Sequence, residues 1–358
     1  MAKGSRFYSP QLDGLRFCAA VVVLAHHAPA VPYLSHFQTY GWVGVDLFLS
    51  ISSFLITRLI ILEHQVTGSF SIRNFYIRRM LRIWPLYFSF ATVACLAAIL
   101  FGAVPAPVAA ASWLSHLTFS NNLLTSVIGY STVPYTAHLW TISLEEQAYL
   151  LLPVIMARAL SHSISVSTAK KVAIVSLIIL MLARAAFALA GMPHPFIWVL
   201  PLRADPIILG GLAAILVASD HLKPRLWMLP LGLLLVATAP LFPPLDVPGA
   251  YQIFGFLVTG CGCTAIVVGS QTRMMERSPL AWTPMRYLGK VSYGIYVFHA
   301  AVIGLTIWLV RLAGLPLWSV LPIALTLTVT VATLSYRILE MPFLAWKERF
   351  AKVASRPV

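Results

Sequence analysis

Acidic residues are scarce in this 358-residue chain: 11 Asp and Glu stand against 25 Lys and Arg, and charged residues make up only 10% of the total. A soluble globular domain carries about 25% charged residues, so this chain has too little polar surface to cover itself in water and is expected in a lipid bilayer. Disorder is excluded from the other side, because 59% of the residues are hydrophobic and 12% aromatic. A net charge of +14 is the usual mark of a nucleic-acid partner, but a chain of mean hydropathy +0.84 offers it no soluble face, and none is expected. Cysteine is scarce too. Cys18, Cys95, Cys261 and Cys263 all fall in apolar runs, and the closest pair is C-G-C with no His or Cys at finger spacing. Neither a disulfide framework nor a metal site is expected. HExxH, GxSxG, Walker and GxGxxG motifs are absent, so proteolysis and nucleotide hydrolysis lose their simplest support.

Long apolar runs are what the chain does have. Crossing about 30 Å of hydrocarbon takes roughly 20 apolar residues as a helix, and only helices or closed barrels satisfy the backbone there. The runs lack period-two alternation, which selects helices and an all-α membrane bundle. Ten spans are expected: Leu12–Pro32, Gly41–Leu62, Ile83–Val104, Leu139–Leu160, Val172–Gly191, Ile197–Ser219, Leu226–Phe242, Tyr251–Gly269, Val291–Ala313 and Leu317–Arg337. The stretch Pro105–Tyr135 is too short in its apolar part and too polar to cross, and reads as extramembrane or re-entrant. Basic loops face the cytoplasm. With both termini inside, Arg203 and Arg311 fall outside and Arg16 and Arg184 fall within spans, while all the other basic residues face inward. A cleaved signal peptide is disfavoured because Arg16 interrupts its apolar region. The expected organisation is an N-terminal segment 1–11, one membrane domain 12–343 and a basic tail 344–358, with no repeat of fixed period.

An ionisable residue inside a span costs upward of ~2.5 kcal/mol and is a functional-site hypothesis. The first helix carries Arg16 and, eleven positions on, His27, preceded by His26. Eleven residues are nearly three turns, so Arg16 and His27 share a face about 16 Å apart along the axis. The second and fourth spans enter from outside, bringing Asp46 and the pair Glu145 and Glu146 to the level of His27. Carboxylates at that height would hold a histidine in one tautomer, as a general base requires. His299 lies midway along the ninth span. In the run Phe75–Tyr87, Arg78 and Arg82 are one turn apart with Arg79 adjacent, a face that a phosphate or pyrophosphate would bridge and that otherwise serves as a positive-inside anchor.

In order, the motifs resemble the membrane acyltransferase-3 family, bacterial integral-membrane O-acyltransferases acting on envelope sugars and secreted metabolites. The resemblance runs through L-D-G-L-R-F-C-A-A-V-V-V-L-A-H-H (Leu12–His27), G-V-D-L-F-L-S-I-S-S-F-L-I-T (Gly44–Thr57), the arginine run, H-L-W-T-I-S-L-E-E-Q-A-Y-L-L-L-P (His138–Pro153), S-Y-G-I-Y-V-F-H (Ser292–His299) and Y-R-I-L-E-M-P-F (Tyr336–Phe343). It implies Arg16 and His27 as the arginine-to-histidine signature, with the histidine catalytic. It links Arg78, Arg79 and Arg82 with the acyl-coenzyme A donor, and Glu145, Gln147, His299 and Glu340 with the later motifs. His26 takes a place usually filled by an aromatic residue, which leaves both histidines as candidates. Ser53 stands where the family usually has glycine, and its bulk would narrow a close helix contact. No His is followed by Asp after a four-residue gap, the pattern of soluble glycerolipid acyltransferases.

The function so implied is transfer of an acyl group, acetyl being the commonest choice, from cytoplasmic acyl-coenzyme A to a hydroxyl of an extracytoplasmic carbohydrate or glycoconjugate. The expected setting is the bacterial cytoplasmic membrane. His27, oriented by Asp46 or Glu145, would act as base or as transient acyl carrier. Arg16, Arg78, Arg79 and Arg82 would hold the donor, and His26, Gln147, His299 and Glu340 would support substrate or structure. The rival class is a transporter or flippase of a lipid-linked or small polar substrate. It is disfavoured because no two halves show corresponding broken helices and the arginines cluster in one loop.

Overall fold

The computed structural model describes residues 7–129, 133–192, 201–242 and 251–353, and all regular structure among these is helical. Fourteen helices are named among the described residues: α1 (Pro10–His27), α2 (Ser35–Thr39), α3 (Val43–Thr67), α4 (Ile72–Leu100), α5 (Ala106–Leu117), α6 (Asn121–Ile128), α7 (Trp140–Ser161), α8 (Val166–Leu189), α9 (Asp205–Ala218), α10 (Met228–Ala237), α11 (Tyr251–Gly269), α12 (Thr283–Leu312), α13 (Val320–Ser335) and α14 (Met341–Lys347). A helix lies on each of the ten expected stretches, and α5 and α6 occupy the segment read as extramembrane or re-entrant. Residues 1–6, 130–132, 193–200, 243–250 and 354–358 of the expected organisation lie outside the described residues.

Among the described residues, five helical segments are long and apolar enough to cross a membrane by length and composition: Val43–Thr67, Ile72–Leu100, Val166–Leu189, Thr283–Leu312 and Leu317–Phe350. The outermost is α8. Only 11% of its most apolar stretch is buried in protein, and Ile178, Ile179 and Leu182 stand exposed along it, the dress of a helix that faces lipid. Helix α1 is the opposite case. It carries Gln11, Asp13 and Arg16, polarity that is tolerable because it runs between α3 and α12 in the middle of the bundle.

Local chemistry sets the helix ends. Pro10 opens α1, where its missing N–H costs nothing. Gly68, at φ 69°, closes α3 in the left-handed conformation. The Ser71 hydroxyl then accepts from Asn74 N at 3.3 Å and starts α4, so the chain reverses within a few residues.

Between helices of a bilayer there is little hydrophobic drive, and close approach through small residues takes its place. A Cβ on Gly44 would lie 2.6 Å from Ala19 O, and one on Gly210 would lie 2.6 Å from Ser50 O. These contacts seat α1 on α3 and α3 on α9. Ser53, expected to narrow a helix contact, does fill the α3–α9 seam, where its hydroxyl donates to Ile207 O at 2.6 Å. Gly211 lies opposite and leaves it room.

Two ion pairs with wholly buried side chains lock the α8–α9–α11 side onto α3. Arg184 donates to both carboxylate oxygens of Asp205 at 2.5 and 2.9 Å, and also to Leu202 O and Ile253 O. Arg203 donates to Asp46 at 2.8 Å, and Thr259 donates to the other Asp46 oxygen at 3.1 Å. Both guanidinium groups lie over the Phe256 ring, at 5.6 and 4.9 Å from its centroid.

Candidate functional site

Three arginines surround one cavity. A cleft between α1, α3, α4, α7 and α12 shares Arg16, Arg79 and Arg82 in its lining with a neighbouring vestibule. Arg16 comes from α1, and Arg79 and Arg82 from α4. None of the three makes a hydrogen bond or ion pair among the described residues. Arg79 instead lies over the Tyr149 ring at 5.0 Å. The one carboxylate in the cleft, Glu145, accepts from the Tyr149 hydroxyl. Three cations around a cavity lined by a single carboxylate, itself hydrogen-bonded to Tyr149, form an anion site. Arg78 stands apart from this group: it donates to Glu63 at 3.0 Å and to Phe350 O at 2.7 Å, on the vestibule wall.

A pair of buried hydroxyls in the cleft lining stands as a septum between the cleft and His138. Thr141 Oγ1 and Tyr296 Oη lie 2.5 Å apart, and each donates within reach of His138 O, at 3.2 and 2.8 Å. Behind this septum four imidazoles form a row. Ring centroids are 4.9 Å apart for His26–His27, 4.9 Å for His27–His299 and 4.5 Å for His299–His138. Their tautomers follow from their partners, because a carbonyl can only accept. His26 Nδ1 donates to Gln38 O at 2.7 Å, His27 Nδ1 to Val23 O at 2.9 Å and His299 Nδ1 to Tyr296 O at 2.5 Å. His138 donates instead through Nε2, to Val297 O at 3.1 Å. Each ring therefore keeps one lone-pair nitrogen. That of His27 has no partner recorded among the described residues; those of His299 (Nε2) and His138 (Nδ1) are buried without a partner among the described residues.

The residues expected to act together are thus only partly brought together. Arg16, Arg79, Arg82 and Glu145 share the cleft, and His26, His27 and His299 share the row beyond its septum. The expectation that Asp46 or Glu145 orients His27 does not hold in the structure. Asp46 is occupied by Arg203 and Thr259, Glu145 by Tyr149, and the Val23 carbonyl one turn back orients His27 instead. Gln147 exchanges hydrogen bonds with Asn122 at 2.9 and 3.0 Å and donates to Phe119 O at 2.9 Å, clamping the α5–α6 segment to α7. Glu340 is buried in a π-helical turn, Tyr336–Glu340, after α13, and its Oε1 lacks a partner among the described residues. Sequence reasoning assigned no role to His138 or Tyr296, although both lie in the quoted motifs. No group of three or more His, Cys, Asp or Glu that could hold a metal occurs among the described residues.

Fold and site together define a helical protein of the membrane type, built on a cationic cleft that leads toward a row of histidines. A family model described as an acyltransferase domain matches residues 9–337, and the chain belongs to this family, acyltransferase-3. It is similar to the peptidoglycan O-acetyltransferase OatA of Listeria monocytogenes, at 24% identity over 94% of this chain and 56% of that protein. It is similar also to the putative peptidoglycan O-acetyltransferase YrhL of Bacillus subtilis, at 23% identity over 94% of this chain and 55% of the relative. A putative O-acetyltransferase of Staphylococcus aureus, SAS0844, is 26% identical over 94% of this chain and 57% of its own length. The chain spans little more than half the length of these relatives. No solved structure matches it.

Proposed function

We propose that this protein is a membrane O-acyltransferase of the bacterial cytoplasmic membrane, crossing it ten times with both termini inside. It moves an acyl group, acetyl in the simplest case, from coenzyme A to a hydroxyl of an extracytoplasmic carbohydrate or glycoconjugate. The observation that carries this reading is the cleft with three arginines and no ion-paired partner for them. A coenzyme A thioester is a polyanion joined to a long, nearly neutral arm. Its phosphates would meet Arg16, Arg79 and Arg82, and the arm would extend along the cleft toward the septum. O-acetyltransferase relatives, two of them named for peptidoglycan, support the same chemistry.

His27 is the base in this scheme. Its Nδ1–H is spent on Val23 O, which leaves Nε2 to take the proton of an acceptor hydroxyl. Attack of that oxygen on the thioester carbonyl forms the ester and expels the coenzyme A thiolate. The Thr141–Tyr296 contact has to part for thioester and hydroxyl to meet.

The test is thiol release from labelled acetyl-coenzyme A by purified protein, with and without a carbohydrate acceptor. Wild type releases thiol with the acceptor, and His27→Ala lowers the rate by about 100-fold or more. A wild-type protein that releases none is a transporter or binder; an active His27→Ala protein removes the histidine from the chemistry.

A further inference from the structure

Helices α7 and α8 are joined by only four residues, 162–165, yet α8 packs on α9 and α11 rather than on α7. The buried Arg184–Asp205 pair holds it there. What separates α7 from α8 is a groove. Its wall on α7 is a stripe at helical spacing, Leu144, Ala148, Leu151 and Ile155, and α8 and α9 face it with Val172 and Ile208. No charged residue lines the groove, and its polar exceptions are Thr57, Gln147, Thr168 and Ser176. Leu151 and Ile155 remain 62% and 58% exposed, so α8 does not cover them. Along α7 the groove runs from Leu144 to Ala159, about 22 Å, more than the ~15 Å of one leaflet. Its mouth at the α7–α8 turn is basic. Arg158 stands in the last turn of α7, and Lys170 and Lys171 in the second turn of α8. All three are exposed, and none is in an ion pair among the described residues. The sequence places no Asp or Glu between Glu146 and Asp205. A positive-inside anchor accounts for the charges alone, and contact with bulk lipid for the apolar wall alone. Their meeting at one mouth selects a ligand that has both parts.

We propose that this groove binds an anionic phospholipid of the cytoplasmic leaflet, with its phosphate among Arg158, Lys170 and Lys171 and a tail laid along α7. The inference rests on the membrane placement proposed above and not on acyl transfer. A phosphate at the mouth gains the attraction of three cations with no acid nearby, and the tail covers apolar surface that α7, α8 and α9 leave open to one another. Thr141, Glu145 and Tyr149 of the same α7 line the cleft, so the lipid backs one wall of the donor site.

Native mass spectrometry of the full chain, released from maltoside micelles, tests this by counting retained lipid. With phosphatidylglycerol and phosphatidylcholine supplied together, wild type retains one phosphatidylglycerol and prefers it by about 10- to 100-fold. The triple variant Arg158→Gln/Lys170→Gln/Lys171→Gln loses that preference. Ala148→Trp fills the groove from α7 and retains neither lipid; Ala169→Trp fills it from α8 and decides the matter if the first variant fails to fold. Glycerol 3-phosphate, a headgroup without a tail, does not displace the lipid from wild type. Equal retention of the two lipids by wild type overturns the proposal, as does a preference that survives the triple substitution or a lipid that survives both groove-filling substitutions. Displacement by glycerol 3-phosphate overturns it too, leaving a simple anion site. Thiol release measured on the same samples separates the two ideas. Wild type that holds the lipid without releasing thiol loses only the acyl-transfer reading, and wild type that releases thiol without holding the lipid loses only this one.

Discussion

Adjacent arginines in one run are interchangeable in the sequence and unequal in the structure, which allows a sharp comparison. Arg82 faces the cleft with no ion pair among the described residues, whereas Arg78 is held by Glu63 and Phe350 O. On the proposed function, removing Arg82 takes away one charge-assisted hydrogen bond to a phosphate, about 1.5–3 kcal/mol. At about 1.4 kcal/mol per decade, coenzyme A affinity falls roughly 10- to 100-fold in Arg82→Gln. The same change relieves repulsion from Arg16 and Arg79, so the fold should be no less stable. Arg78→Gln has the opposite profile. It leaves the Glu63 carboxylate, 3% exposed, with only the Ser71 N–H at 3.1 Å. The cost is about 1–3 kcal/mol of stability, with little change in donor affinity. Calorimetric titration with coenzyme A and thermal unfolding followed by tryptophan fluorescence, both in detergent, read the two quantities separately. Higher salt should weaken binding to wild type more than to Arg82→Gln. Equal loss of affinity in the two variants refutes the distinction and returns the run to a plain anchor.

Two further outcomes are expected. Asp46→Leu leaves Arg203 as a buried charge without its carboxylate and costs about 3–5 kcal/mol, while the double variant Asp46→Leu/Arg203→Met recovers most of the fold; thermal unfolding of the three proteins checks this, and recovery of turnover in the double variant shows Asp46 to be a strut rather than a catalyst. Gly210→Leu drives a side chain into Ser50 O and should cost at least about 1–3 kcal/mol through separation of α9 from α3, read as a lower unfolding temperature.

A helix lies on each of the ten apolar runs, because a run of that length has no other way to satisfy its backbone in lipid, whereas α2, α5, α6 and α14 lie outside those runs. The cationic cleft was legible in part: the run marked Arg78, Arg79 and Arg82 together, with Arg78 and Arg82 on one face, and the structure brings Arg79 and Arg82 to Arg16 while Arg78 is held by Glu63. What the sequence hid is pairing at a distance. Asp46 finds Arg203, 157 residues away, through the docking of α9 on α3, and nothing in the spacing of either residue announces it. The partner of His27 was hidden for the opposite reason: it is a backbone carbonyl four residues back, which every helix offers and no motif marks. His138 sits in a short 3-10 turn ahead of α7, where helical periodicity says nothing about its neighbours, and only the packing of α12 brings it to His299.

The septum of Thr141 and Tyr296 also has an electrical meaning. A polar cleft on one side and a row of imidazoles on the other would, if joined by water, form a leak through the bilayer. Every elementary charge falling through 100 mV of membrane potential dissipates about 2.3 kcal/mol. The two hydroxyls are 2.5 Å apart and both lie within hydrogen-bond distance of the carbonyl of His138, so no water molecule fits directly between them. On the proposed function they would be the insulation of the machine, since an acyl group passing from cleft to histidines would have to part this contact.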